Sequence, residues 1–167
     1  MGTIEYKIRE DQLNQFNPCA IKVGKIVAIS ISHKKGIPKT NIKQAKLIED
    51  FGIEGDVHAG NWHRQVSFLA MESIDKMRAK GLPTLRPGAF AENITTEFID
   101  IPNLRIGSKI KIGAETKLEI TQIGKECHSK CAIFFTVGDC VMPREGIFAK
   151  VIKSGEIFVG DEVQVIN

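Results

Sequence analysis

No apolar run in this chain approaches the length of a membrane span, and its first residues, MGTIEYKIREDQLNQF, form no basic-then-apolar leader. A cytoplasmic location with no membrane partner is therefore expected. Excess charge of one sign is also missing. The formal net charge of +3 is too mild for a nucleic-acid partner, though it suits a small anionic ligand. Cysteines are few: four in 167 residues, unevenly placed. That argues against a secreted disulfide framework and predicts reduced thiols. No Cys-x2-Cys pair occurs, so the usual thiolate run of an iron–sulfur cluster is lacking. No linker-like stretch divides the chain after residue 20.

What is present is an ordinary globular balance, 43% hydrophobic and 26% charged, in a length that buries a core without staples. Residues 1–20 are polar with little periodicity and contain Pro18, which marks them as an N-terminal extension to a domain over 21–167. Val23 to Ile31 (VGKIVAISI) is rich in β-branched residues and reads as a strand. Gln65–Ala70, the region of Ile94, Lys109–Ile112, Lys117–Ile123 and Glu162–Ile166 read as strands as well. Met71 to Lys80 has apolar residues at helical spacing and is closed by Gly81 and Pro83. Asn41–Ile48 fits helix or strand, and Gly146–Ile152 reads as a short helix. Leu104–Ile112 and Ile157–Val165 each show an apolar pair, a glycine turn and an alternating strand, one device used twice. Many short strands and few helices predict a mainly β fold, a β-barrel core of short strands with one or two peripheral helices.

Three segments carry chemistry. Cys127 to Cys140 (CHSKCAIFFTVGDC) holds three of the four cysteines and His128, directly after a predicted strand. A thiolate there is a soft ligand for molybdenum, zinc or copper, or a nucleophile that carries sulfur. The Cys-x3-Cys-x8-Cys spacing is poor for structural zinc. Three residues between Cys127 and Cys131 let their side chains meet in a loop. Cys140, in Gly-Asp-Cys-Val-Met-Pro, reads as structural. The second segment, Gly52 to Ser67, is a glycine-rich loop. In it His58 and Arg64 suit an anion, Arg64 by a forked contact. The plainer alternative is a tight connection in which Asp56 caps a turn and Arg64 pairs with a surface acid. The third, Arg86 to Thr96, offers Asn93, Thr95 and Thr96 to a heterocycle, or is simply a turn and a strand edge.

Taken in order, Gly55-Asp56-x-His58, Arg64-Gln65-Val66-Ser67, Glu72, Pro87-Gly88-x-Phe90-x-Glu92-Asn93-Ile94-Thr95-Thr96, Gly107, the late cysteine, Gly146-Ile147-Phe148-Ala149 and Gly160-Asp161 resemble the MOSC domain. That is the C-terminal domain of molybdenum cofactor sulfurases, found also as small stand-alone bacterial proteins. The resemblance spans residues 23 to 166. It implies a barrel fold and binding of the molybdenum cofactor (molybdopterin). It further implies sulfur transfer to that cofactor or molybdenum-dependent reduction of N-hydroxylated compounds. Lys130-Cys131-Ala132-Ile133 fits the place of the family's functional cysteine, so the resemblance makes Cys131 the catalytic thiol and metal ligand. Arg64, His58 and the Lys34-Lys35 turn would serve the phosphate, and Ser67, Asn93 and Thr95 the heterocycle. Lys125 and Lys130 would favour a thiolate nearby. Ala91 stands where the family usually has glycine. The chain is too short for a pyridoxal-phosphate desulfurase domain, so that coenzyme would belong to a separate cysteine desulfurase. An electron-transfer protein is the other implied partner. Two rival readings are a non-catalytic cofactor-handling module and a small zinc or thiol-redox protein using Cys127, His128, Cys131 and Cys140.

Overall fold

The computed structural model describes residues 23–127 and 129–166. The expected extension over 1–20, Cys19 and His128 lie outside the described residues. The β-branched run at Val23–Ile31 forms strand β1, with its apolar residues progressively buried. Short strands follow at Thr40–Ile42 (β2), Gln44–Ile48 (β3) and Gly52–Ile53 (β4), then Val66–Ala70 (β5) and the helix α1, Met71–Ala79. Next come Ile94–Glu97 (β6), Lys109–Ile112 (β7) and Thr116–Ile123 (β8). Two short helices, Ala132–Val137 (α2) and Met142–Glu145 (α3), precede Ile147–Lys153 (β9), Gly155–Phe158 (β10) and Glu162–Ile166 (β11).

Seven strands close a barrel in the order β1, β6, β5, β9, β8, β7, β11 and back to β1, where Val23 pairs with Gln164. All of these pairings are antiparallel except β5 with β6. A parallel pair cannot be joined by a tight hairpin, and α1 with the loop after it makes the crossover. β2 adds to β1 outside the ring, and β10, β3 and β4 form a small second sheet. The barrel is filled by Ile26, Ile29, Phe68, Ile94, Ile110, Leu118, Ile120 and their neighbours, all almost fully buried. A second cluster lies outside the ring, where Leu69, Ile74, Met77, Phe90, Cys140, Met142 and Phe148 pack together. β5 feeds both cores, with Phe68 in one and Leu69 in the other. All five of its residues are buried as a result.

The mainly β barrel with peripheral helices agrees with the sequence expectation, and α1 ends at Lys80 before Gly81 with φ 122. Two local readings change. The short helix expected over Gly146–Ile152 is strand β9, paired with β5 on one side and β8 on the other. Its Ile147, Phe148, Ala149 and Val151 are all buried, and a short apolar run covered on both faces has no period to distinguish strand from helix. The ambiguous Asn41–Ile48 is two strands, split at Lys43.

Candidate functional site

One cavity of about 260 Å³ lies beside the barrel, against the second core. The loop before β5, the turn before β6 and the segment after β8 all contribute to its wall, so the three chemistry-bearing segments of the sequence meet there. His58, Arg64, Ser67, Asn93, Cys127, Cys131 and Cys140 line it, together with Lys39, Trp62, Lys125 and Phe148.

Asp56 organises the basic side. Its carboxylate is fully buried and accepts from Lys39 Nζ at 2.7 Å, the Ser32 N–H at 3.0 Å and the His58 N–H at 3.3 Å. Burial pushes this carboxyl up, but Lys39 and the Ser32 amide outweigh it and hold the group below its ordinary value. Lys39 is itself 2% exposed along its side chain. Its Nζ also lies 3.3 Å from His58 Nδ1. Burial, then the Lys39 charge, push the His58 imidazole below its ordinary value. An ammonium only donates, so Nδ1 accepts and Nε2 keeps the proton. His58 is therefore a neutral N–H donor on the cavity wall.

Arg64 is held by stacking rather than by an acid. Its guanidinium carbon sits 4.7 Å from the Trp62 ring centroid and 5.8 Å from that of Phe148. Its Nε is buried and has no hydrogen-bond partner among the described residues. The surface ion pair considered for Arg64 does not occur among the described residues.

Ser67 and Asn93 bind one another. Ser67 donates its N–H and its hydroxyl to Asn93 Oδ1, both at 3.0 Å, and Asn93 Nδ2 donates to the Ser30 carbonyl at 3.1 Å. They stiffen the wall as a unit. Two expected contact residues do not line the cavity. Thr95 is fully buried and gives its hydroxyl to Glu92 Oε1 at 3.1 Å. Lys35 is exposed on the basic turn and reaches His58 only through its charge. Lys39, four residues on, is the lysine of that turn that enters the site.

Glu92 shapes the adjoining wall. Its buried carboxylate accepts the N–H groups of Gly88 at 2.5 Å and Phe90 at 3.0 Å, folding Gly88–Ala91 into a tight turn. Burial pushes this carboxyl above the ordinary range, against the pull of those N–H groups. Ala91 in the turn has φ 62, the left-handed region that disfavours a Cβ. This explains physically why glycine suits the position. Ala91→Gly is expected to raise the melting temperature by about 2–4 °C. Relief of roughly 1–2 kcal/mol of strain exceeds the added unfolded-chain entropy. Thermal denaturation checks this, and a lower melting temperature would contradict it.

The thiol side differs in depth. Cys127 and Cys131 are exposed and Cys140 is buried, and all three are free. Burial, with lesser effects of the Cys131 and Cys127 thiols, pushes the Cys140 thiol up. Cys131 stands at the N-cap of α2, a helix with no fully buried residue that the sequence reading did not anticipate. Lys130 places its Nζ 4.3 Å from the Phe134 ring centroid. Among the described residues, no group of three His, Cys, Asp or Glu side chains is arranged to hold a metal ion by itself.

A closed barrel with a cavity walled by thiols on one side and by cationic and N–H donors on the other defines the class. The MOSC domain model matches residues 54–164, and the chain belongs to that family, which is related to the molybdenum cofactor. Among solved structures, the YUAD protein from Bacillus subtilis is 19% identical, with a TM-score of 0.73 over 86% of this chain and 95% of that one. YiiM from Geobacillus stearothermophilus is 17% identical, with a TM-score of 0.66 over 86% of this chain and 75% of that one. YiiM from Escherichia coli is 14% identical, with a TM-score of 0.61 over 86% and 70%. At these identities the likeness is one of fold. No curated protein matches the chain.

Proposed function

We propose that the protein binds the molybdenum cofactor in this cavity and that Cys131 carries sulfur to it. The observation that supports this best is the placement, on one cavity, of the exposed free thiols Cys127 and Cys131 and of a stacked guanidinium whose buried Nε has no partner among the described residues. The residues fit such a ligand. Arg64 Nε is a buried donor without an acceptor among the described residues, Lys39 and His58 add donors on the same cavity, and the exposed thiols of Cys127 and Cys131 supply soft donors. A cavity of about 260 Å³ is just smaller than most ligand pockets, about 300–1,000 Å³. It suits one end of an extended ligand.

When bound, the cofactor would supply a molybdenum centre able to accept sulfur or pass electrons. The chain's own residues do the rest. Arg64 and Lys125 attract the anionic part, and the Trp62 and Phe148 rings keep the guanidinium from turning away. Asp56 holds Lys39 and thereby fixes His58 as a donor. Cys131, exposed and free, takes sulfur from a donor such as a cysteine desulfurase and presents it to the cavity. Two exposed thiols, Cys127 and Cys131, on one cavity favour sulfur handling over reduction of N-hydroxylated compounds, for which one metal-ligating thiol is enough.

The test is to purify the protein from a host that makes the cofactor and to assay molybdenum, zinc and released pterin together. Molybdenum and pterin in equal amounts are expected. Zinc without pterin would overturn the reading. Arg64→Ala should weaken retention by about 1–3 kcal/mol, the scale of a charge-assisted hydrogen bond. Unchanged pterin content after gel filtration would remove Arg64 from the site.

A further inference from the structure

The described thiols share one cavity but not one setting. The chain leaving β8 is pinned at first: Gly124 donates its N–H to Gly146 at 2.6 Å, and Lys125 donates to Met142 at 3.3 Å. Gly124 has φ 72, and a Cβ there would meet the Pro143 oxygen at 2.1 Å, so this anchor is fixed. Beyond it the tether stops. Among the described residues, the N–H groups of Glu126, Cys127, Ser129 and Lys130 find no backbone acceptor. The next such bond lies at α2, where Phe135 donates to the Cys131 carbonyl. Cys127 therefore sits between the Gly124 anchor and the start of α2, on a span with no ladder in its described part. Moving it against Cys131 breaks no described backbone bond, and because both residues are exposed it buries little. Three intervening residues allow the Cα separation of roughly 4.4–6.8 Å that a disulfide needs.

Cys140 is placed differently. It belongs to the second core, and its N–H is held by Asp139 Oδ1 at 2.8 Å. Asp139 is clamped in turn by Arg144 at 2.9 and 3.1 Å and by Lys80. Bringing Cys140 to another thiol would break these contacts.

We propose that Cys127 is the resolving thiol for a persulfide carried on Cys131, an inference that rests on the sulfur-carrier reading. The Cys127 thiolate attacks Cys131 Sγ. The bond from that Sγ to the outer sulfur breaks, and its electron pair leaves with hydrosulfide. The products are one Cys127–Cys131 disulfide and one hydrosulfide, which takes away the thiolate's negative charge. The outer sulfur gains the two electrons that the cysteine pair gives up, so sulfur is released at the sulfide level rather than as sulfane. It is released beside Arg64 and Lys125, whose charges favour an anion. A dithiol reductant returns the pair to thiols.

Inorganic polysulfide serves as the loading probe for the wild type and for Cys127→Ser, Cys131→Ser and Cys140→Ser. After removal of excess polysulfide, released sulfide is measured, and alkylated peptides are read by mass spectrometry. The wild type and Cys140→Ser should release about one equivalent of sulfide and accumulate the Cys127–Cys131 disulfide. Cys127→Ser should load equally but release sulfide roughly tenfold more slowly or worse, with the persulfide persisting on Cys131. Wild-type release from Cys127→Ser, or stalling of Cys140→Ser instead, overturns the assignment of Cys127. Undiminished loading of Cys131→Ser would instead sink the sulfur-carrier reading. Circular dichroism of each variant separates chemistry from misfolding.

Discussion

Cys131→Ser is expected to abolish sulfane-sulfur loading and to lower molybdenum retention to background, while leaving the unfolding transition within about 0.5 kcal/mol of wild type. The chemical half of this follows from the donor: a hydroxyl is harder and far less acidic than a thiol and forms no persulfide. The stability half follows from position. Cys131 is exposed and caps α2 with extended backbone angles, φ −90 and ψ 175, without a side-chain bond to the helix. Serine is among the best N-cap residues, so the substitution leaves α2 at least as well capped. Measuring bound molybdenum, persulfide label and denaturation midpoint on one preparation checks both halves. Full loading in the serine variant would show that another thiol carries the sulfur.

Asp56→Ala is expected to destabilise the fold by about 3–5 kcal/mol, the scale for breaking a buried ion pair from one side. Removing the carboxylate leaves Lys39, 2% exposed, without its partner at 2.7 Å, and takes the acceptor from the Ser32 and His58 N–H groups. The folded Asp56 carboxyl titrates below the ordinary 3.8, because Lys39 and the Ser32 N–H outweigh the upward push of burial. Its contribution is therefore complete above the unfolded value and is lost as pH falls through the folded one. The gap between wild type and variant should be full at pH 7 and narrow as pH drops below 3.8. Urea denaturation across that range measures it. A gap that widened in acid would mean that the carboxyl is protonated in the folded state.

How much of this was legible in the sequence depended on where each residue's partner lies. β7, β8 and β11 show themselves by alternation because one face meets the barrel core and the other is more open, and β1 shows itself by its β-branched residues. β9 does not, because the barrel core takes Ile147, Ala149 and Val151 on one face while the second core takes Phe148 on the other, and its apolar run loses any period. α1 was readable from its spacing and from Gly81, both local features. α2 was not, since six residues with no fully buried side chain leave too little pattern. In the site, the ordered motifs identified the family and brought His58, Arg64, Ser67, Asn93 and Cys131 together as candidates. Lys39 was missed because it stands in a basic turn beside Lys34 and Lys35, and only Asp56, 17 positions away, distinguishes it. Thr95 was read as a ligand contact because its type allows one. Its bond to Glu92 depends on a turn whose shape the local sequence does not specify.

The ring is closed by the pairing of the first described strand with the last, Val23 beside Gln164 and Lys25 beside Glu162. A chain emerging from the ribosome makes β1 early and must wait for β11 before the circle is complete. Until then β1 presents an open edge, the kind of surface on which nascent β proteins pair with the wrong neighbour. Closure over so long a sequence separation also predicts slow folding, with the seam forming late. Because the seam brings the two ends of the described fold side by side, a short linker between them, with new ends opened in a surface turn such as that at Gly113, should give a circular permutant that still folds. In that permutant β11 would be made before β7, and the last step of closure would move to a different place on the ring.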